Sequence, residues 1–358
     1  METPGASTSA SSTVIVKEPS IVKNSRRPKN SKLAQQELPA CKPLLTPAWV
    51  IAMFILVAAA FVPIGAFALL ASLNVVEIVD QYDNICIPDA TTNDQRVKHI
   101  QNYQTDKSCM RVLKVLKDMK GPIHIFYQLE HFFQNHRRYV KSRSDQQLLK
   151  GHASNASLDG CKPENVFNNQ VIVPCGLIAW SLFNDTFSFL VNNQSLSVNR
   201  NGISWKSDRD FKFGKNVFPS NFPNNYPAGP NGNVVGGAKL NEALPLSDNE
   251  DLIVWMRTAA FPKFRKPWGK IEHGLSAGDL ITINITNVYN TYAFGGRKKL
   301  VISTTSWLGG KNCFLGIAYL TVGGFSIIWA VVFFILHYRS ARRLGDVSYL
   351  SWNKKDSS

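Results

Sequence analysis

The chain has 358 residues, 44% of them hydrophobic, and a formal net charge of +15 at pH 7. The charge amounts to +4 on residues 1–42, +3 on residues 339–358 and +8 on the long middle segment, where basic and acidic residues are interspersed. Because no basic block dominates, this charge gives no reason to expect a nucleic-acid partner. Basic tails beside apolar runs are typical of membrane topology and of attraction to anionic lipid.

Two long apolar runs, at residues 49–73 and 313–338, contain no Asp, Glu, Lys or Arg. Each exceeds the roughly 20 residues that cross a hydrocarbon core, so each predicts a transmembrane helix. Transport pathways through membranes use such charged side chains, so the absence of these four residue types argues against a transporter. Pro63 predicts a kink in the first helix.

Small residues within these runs predict that helices approach closely. They include Ala68 and Ser72 in the first run, and Ser326 and Ala330 in the second. They favour either ordinary packing or docking onto another membrane protein, and the sequence leaves both open.

The flanks of the two runs predict the topology. Residues 1–22, rich in Ser and Thr, indicate a disordered leader; residues 23–48 form a basic juxtamembrane segment, and residues 339–358 a basic tail. Since Lys and Arg accumulate on the cytosolic side, both termini are expected in the cytosol and residues 74–312 in the lumen or outside. A cleaved signal peptide is the alternative, but the first run is too long and lies behind more than 40 residues.

The cysteines agree with an oxidising compartment. Four of the six lie in the predicted ectodomain and permit three pairings. We expect Cys86 with Cys109 and Cys161 with Cys175, because these pairs close short local loops. Zinc is the alternative, although no Cys-x-x-Cys pair exists. Cys313, at the outer edge of the second run, has no evident partner.

Four N-glycosylation sequons also lie in the predicted ectodomain and make it a candidate glycoprotein. Their asparagines are Asn155, Asn184, Asn193 and Asn284. The last has additional support, because isoleucines alternate with polar residues over 281–286, which predicts a strand with Asn284 on its solvent face.

Period-two patterns predict a mainly β ectodomain. The predicted strands cover residues 123–129, 186–191, 252–256, 281–285 and 300–304, with residues 288–306 as a hairpin arm, and a helix is predicted over 107–119. Residues 199–241 are rich in Gly, Pro and Asn and indicate long loops. The predicted fold class is a membrane protein in which two transmembrane helices flank a disulfide-stapled, mainly antiparallel, sandwich-like ectodomain.

Motifs for catalysis are poorly matched. The Gly-x-Ser-x-Gly pattern around Ser276 runs into a predicted strand, whereas a nucleophile elbow needs a helix after the serine. The sequence GGK at 309–311 lacks the upstream glycine of a P-loop, and no His-Glu-x-x-His motif occurs. No catalytic residue, cofactor or metal site is therefore predicted, and an enzyme is not expected.

Several stretches together resemble one family. They are RPKN at 27–30, LPACKP at 38–43, YQL at 127–129, QNHRRYVKS at 134–142, PCGLIA at 174–179, FNDT at 183–186, WKSD at 205–208, DLIVWMR at 251–257, FGGRK at 294–298 and STTSWLGGK at 303–311. In this order they resemble the β-subunits of phospholipid flippases (type IV P-type ATPases), the cell-division-control-protein-fifty family, and most of all its plant branch, the ALA-interacting subunits. Cys313 departs from an expected proline, and the KPW sequence at 266–268 departs from an expected Lys-Leu-Tyr.

The resemblance implies a noncatalytic accessory subunit that forms a 1:1 heterodimer with a catalytic α-subunit and supports its folding, its export from the endoplasmic reticulum and its activity. It also implies a β-sandwich-like ectodomain with two disulfides between neighbouring cysteines. Membrane lipids are further expected contacts, and the endoplasmic reticulum, Golgi and post-Golgi membranes and plasma membrane are the expected locations. The alternative from another class is a subunit of a two-span ligand-gated ion channel.

The cytosolic segment at residues 26–43 carries a basic cluster that leads through Leu33 and Leu38 into the first run. It is either a solvated flank that sets topology, or a stretch that lies along the membrane surface and contacts the partner.

Overall fold

The computed structural model describes residues 31–33, 36–39, 45–87, 89–102, 104–152, 158–222, 237 and 239–339. The predicted leader, most of the basic juxtamembrane segment and the C-terminal tail from residue 340 lie outside these residues. The N-terminal apolar helix is Pro47–Leu73 and the C-terminal apolar helix is Phe314–Arg339. Both are long and apolar enough to cross a membrane, as predicted.

The ectodomain between them is built on two four-stranded antiparallel sheets. The first has the strand order β1-β10-β3-β8, and the second has the order β2-β9-β6-β7. A small hairpin of β4 and β5 stands apart. The strands are β1 (Glu77–Asp80), β2 (Ser108–Lys114), β3 (Ile123–Glu130), β4 (Val166–Phe167), β5 (Gln170–Val171), β6 (Thr186–Val191), β7 (Gln194–Leu196), β8 (Phe264–Ile271), β9 (Leu280–Thr286) and β10 (Arg297–Ser303).

The two sheets share one hydrophobic core, so the predicted sandwich-like fold is confirmed. In β9 alternate side chains point inward, namely Ile281, Ile283 and Ile285. Across the core, the rings of Phe187 and Trp268 pack edge to face with centroids 5.2 Å apart. Burial of this apolar surface is the main favourable contribution to the stability of the ectodomain.

Short helices and a 3-10 turn cover the ends of the sandwich. They are Asn93–Gln101, Arg137–Lys141, Asp145–Lys150, Leu177–Trp180, Lys206–Phe211, Glu250–Met256 and the turn Tyr292–Phe294. Helix Glu250–Met256 completes the core with Trp255, which is fully buried and donates its indole N–H to Ile178 O at 2.8 Å.

Two secondary-structure predictions were wrong. The segment 107–119 holds strand β2, since Met110 and Val112 are exposed while Cys109 and Leu113 pack against the core, and β9 supplies the backbone partners. The segment 252–256 is helical: Asn249 accepts the Leu252 N–H at 3.1 Å, and two acidic residues favour the helix N-terminus. A short, fully buried apolar run does not distinguish strand from helix.

The predicted hairpin arm over 288–306 was also wrong. Strands β9 and β10 are close in sequence but belong to different sheets, and the 3-10 turn Tyr292–Phe294 lies on the crossover between them. Strand β10 pairs instead with β3 and β1.

Candidate functional site

Hydrogen bonds join the end of the ectodomain that lies next to the apolar helices to both of these helices. Strand β1 begins four residues after the N-terminal apolar helix and pairs with β10, with Glu77 opposite Ser303. Beyond this pair, Thr304 N donates to Val76 O at 3.0 Å, and Asn312 N donates to Ser72 Oγ at 2.9 Å. The two membrane segments and the sheet are thus joined by hydrogen bonds at one junction.

The apolar helices pack against each other through glycines. A Cβ atom at Gly316 would lie 2.7 Å from Leu69 Cβ, and one at Gly323 would lie 2.7 Å from Val62 Cγ2. Such distances are shorter than side chains allow, so only glycine permits this approach.

The small residues singled out by the sequence lie within this helix pair. Ala68, Ser72, Ser326 and Ala330 are all buried. They are therefore used for packing inside the chain, and a partner has to contact other faces of the helices. The Ser72 hydroxyl also lies 3.4 Å from Cys313 Sγ, which gives that cysteine a polar neighbour.

A groove remains open between the helices in the half farther from the ectodomain. Its volume is about 600 Å³ and its lining is apolar. The lining residues are Ile51, Ile55, Ala58, Ala59, Val62, Pro63, Ile327, Ala330, Val331 and Phe334. Without charged groups, this groove suits packing and offers no ion or proton pathway.

The predicted disulfide cysteines form two bonds, Cys86–Cys109 and Cys161–Cys175. The first joins the segment after β1 to β2, and so connects the edges of the two sheets. The second is buried and ties residue 161 to the segment that precedes helix Leu177–Trp180. Closing loops of this length stabilises a fold by about 3 kcal/mol each in the chain-entropy account.

The sequon asparagines differ in accessibility. Asn155 lies outside the described residues. Asn193, in the turn from β6 to β7, and Asn284, on the outer face of β9, are exposed. Asn184 is half-buried, lines a cavity of about 470 Å³, and its Oδ1 has no hydrogen-bond partner among the described residues.

A buried ion pair joins the two sheets. Lys298 Nζ of β10 lies 2.7 Å from Asp185 Oδ2 just before β6, and both side chains are completely buried. Asp185 also accepts hydrogen bonds from Tyr82 OH at 2.7 Å, Val288 N at 2.7 Å and Tyr289 N at 2.6 Å. Burial lowers the pKa of Lys298, while the neighbouring Asp185 carboxylate opposes that shift.

A second buried lysine, Lys266, lies at the C-terminal end of helix Glu250–Met256. Lys266 Nζ donates to the backbone oxygens of Val254, Trp255 and Arg257 at 2.7, 2.9 and 2.7 Å. Burial lowers its pKa to about 7, and the nearby Arg257 adds to this shift. These contacts satisfy helix-end carbonyls, so the role of Lys266 is structural.

The lysines in these two clusters are residues that sequence reasoning missed. What could have indicated them is their position in the alternating pattern of a strand. Lys298, for example, occupies an inward position of β10, as Leu300 and Ile302 do.

The motifs rejected from the sequence have no catalytic geometry. Ser276 lies in an exposed turn into β9, and its backbone N–H donates to Asp279 Oδ2 at 2.8 Å. The glycines at 309–310 belong to a turn that precedes the C-terminal apolar helix. In the part of the chain that the structure describes, no group of three or more His, Cys, Asp or Glu residues is placed to hold a metal ion.

These features define a membrane protein with two paired helices and a disulfide-bonded, two-sheet ectodomain. A family model described as LEM3 (ligand-effect modulator 3) family / CDC50 family matches residues 68–343. This chain belongs to that family, and the resemblance found in the motifs is confirmed.

Individual relatives match along nearly the whole chain. ALA-interacting subunit 3 of Arabidopsis thaliana is 59% identical over 332 residues, which cover 93% of this chain and 92% of the relative. Cell cycle control protein 50A of Mus musculus is 36% identical over 351 residues, covering 90% and 93%. Cell cycle control protein 50B of Homo sapiens is 33% identical over 346 residues, covering 88% and 95%.

Proposed function

We propose that this chain is the noncatalytic β-subunit of a phospholipid-translocating P-type ATPase, needed for folding of the catalytic α-subunit, for its export from the endoplasmic reticulum and for its activity. The observation that carries this proposal is the similarity over the full length to relatives named ALA-interacting subunits.

The geometry supports a subunit that acts as one rigid body. The helices pack through glycines. Val76 N donates a hydrogen bond to Thr304 Oγ1, and Ser72 Oγ accepts one from Asn312 N, which ties the helix ends to the ectodomain. A rigid pair of spans can support a larger membrane protein along one side, while the ectodomain covers that partner's lumenal surface.

The topology belongs to the same proposal. Both tails, including residues 23–48 and 339–358, lie in the cytosol, and the ectodomain of residues 74–312 lies in the lumen of the endoplasmic reticulum and Golgi or outside the cell. Of the three sequons that the structure describes, the exposed Asn193 and Asn284 are better placed to carry glycans than the half-buried Asn184.

The ion-channel alternative has no support from the family comparison. It would also require a polar pore-lining surface. The described parts of the two helices carry no Asp, Glu, Lys or Arg before Arg339.

Copurification of the full-length chain from detergent tests the proposal. We expect a 1:1 complex with a single larger P-type ATPase polypeptide, and no complex with an unrelated P-type ATPase as the control. A homo-oligomer without such a polypeptide would contradict the proposal and favour a channel. Endoglycosidase treatment tests the topology separately, and a shift of the protein band on a gel is expected. If protein made by a eukaryotic cell shows no shift at all, the lumenal placement of the ectodomain is contradicted.

A further inference from the structure

The segment between β10 and the C-terminal apolar helix is held beside the ends of both apolar helices. It is fixed at one end by the bond from Thr304 N to Val76 O and at the other by the bond from Asn312 N to Ser72 Oγ. The four-residue step from 72 to 76 spans roughly 6–13 Å, whether helical or extended. Residues 305–311 are therefore held near the level where the helices leave the hydrocarbon.

Within this segment, residues 306–309 form a closed turn. Ser306 N donates to Gly309 O at 2.8 Å, and Gly309 N donates to Ser306 O at 2.9 Å. Gly309 has a φ of 112°, a conformation that favours glycine. The turn closes through its own backbone and leaves Trp307 79% exposed and Leu308 38% exposed.

The chemistry of the segment fits the interface between water and lipid. Residues 304–313 contain no acid, and Lys311 is the one charged residue. Indole rings prefer the headgroup level of a bilayer because one part is apolar and the N–H is polar, and lysine reaches from there toward phosphate. The surface continues directly into exposed Phe314 at the start of the C-terminal apolar helix.

We propose that turn 306–309 anchors the chain in the leaflet on the ectodomain side, with Trp307 and Leu308 in the headgroup region and Lys311 near the phosphates. The anchor sets the depth of both apolar helices, because the segment is bonded to residues 72 and 76. This inference rests on the membrane-spanning helices and is independent of the partner's identity.

A fluorescent label tests the depth of the turn. The full-length Trp307→Cys chain, with Cys41→Ser and Cys313→Ser, is labelled with an environment-sensitive dye and placed in phosphatidylcholine vesicles. We expect blue-shifted emission that a nitroxide near the headgroup end of the acyl chain quenches more than one near the methyl end. The matched control is Phe261→Cys, because Phe261 is 73% exposed and lies just before β8, at the opposite end of the sandwich.

The control label should show neither the shift nor the quenching. A second readout avoids the label: Trp307→Phe should lose part of the intrinsic emission that the headgroup-proximal nitroxide quenches, while Trp49 at the other end of the N-terminal apolar helix keeps its contribution. The proposal is wrong if the Trp307→Cys label behaves like the Phe261→Cys label. It is also wrong if adding the catalytic partner abolishes the lipid quenching, because the turn would then be a protein contact.

Discussion

Removing the buried cation Lys298 should strongly destabilise the ectodomain. In Lys298→Met the carboxylate of Asp185 keeps the donors Tyr82 OH, Val288 N and Tyr289 N, but it loses the cation that lies 2.7 Å away. Breaking a completely buried pair from one side costs about 3–5 kcal/mol, which lowers the melting temperature of a domain this size by roughly 6–20 °C.

The assay is thermal unfolding of the purified full-length chain in detergent. The control is Lys270→Met, since Lys270 and Glu272 form a 3.0 Å pair at the surface and such pairs contribute less than about 1 kcal/mol. Adding Asp185→Asn to Lys298→Met should restore part of the stability, because the carboxylate that lost its cation is then replaced by a neutral amide; it also preserves the sequon of Asn184. The reasoning is refuted if Lys298→Met costs no more than Lys270→Met, or if the double variant is no more stable than the single one.

The remaining predictions concern the disulfides, the helix pair, the cytosolic segment and pH. Cys161→Ser should cost about 2–5 kcal/mol and cause retention in the endoplasmic reticulum, seen as glycans that stay sensitive to endoglycosidase H. Gly323→Leu should separate the helices and reduce recovery of the complex, whereas Gly324→Leu, with open space around it, should not; equal recovery would contradict the packing account. Leu33→Asp with Leu38→Asp should weaken assembly and ATPase activity if residues 26–43 dock on the partner, while unchanged activity would make the segment only a flank. Between pH 7 and 10.5 the Lys266 amine is protonated more often in the unfolded chain than in the folded chain, so the free energy of unfolding should rise with pH over that window. Lys266→Met should flatten this pH dependence when it is measured by thermal unfolding.

Long, clearly periodic segments were predictable from the sequence. The apolar helices follow from uncharged runs, and β3, β6 and β9 follow from alternating residues such as Ile281, Ile283 and Ile285. These patterns are local in sequence, because the alternation between core-facing and solvent-facing side chains is complete within one element.

Strand β2, which was misassigned as a helix, and the buried residues that sequence reasoning missed depend on contacts that are distant in sequence. Strand β2 forms because β9, more than 160 residues later, supplies its backbone partners. The burial of Lys298 likewise depends on Asp185 in the other sheet, and the pairing of Gly323 with Val62 depends on the second helix returning beside the first. No window of sequence contains both partners of such contacts.

The pairing of β1 with β10 links completion of the ectodomain to its synthesis. Glu77 and Ser303 are opposite each other but 226 residues apart, so β1 waits roughly 11–45 s for its partner at usual translation rates. Strand β10 is also the neighbour of β3, so until it arrives the first sheet has no bridge between β1 and β3. The first sheet is therefore completed only when nearly the whole ectodomain has been synthesised, and until then the strand edges that β10 covers stay open to unwanted pairing.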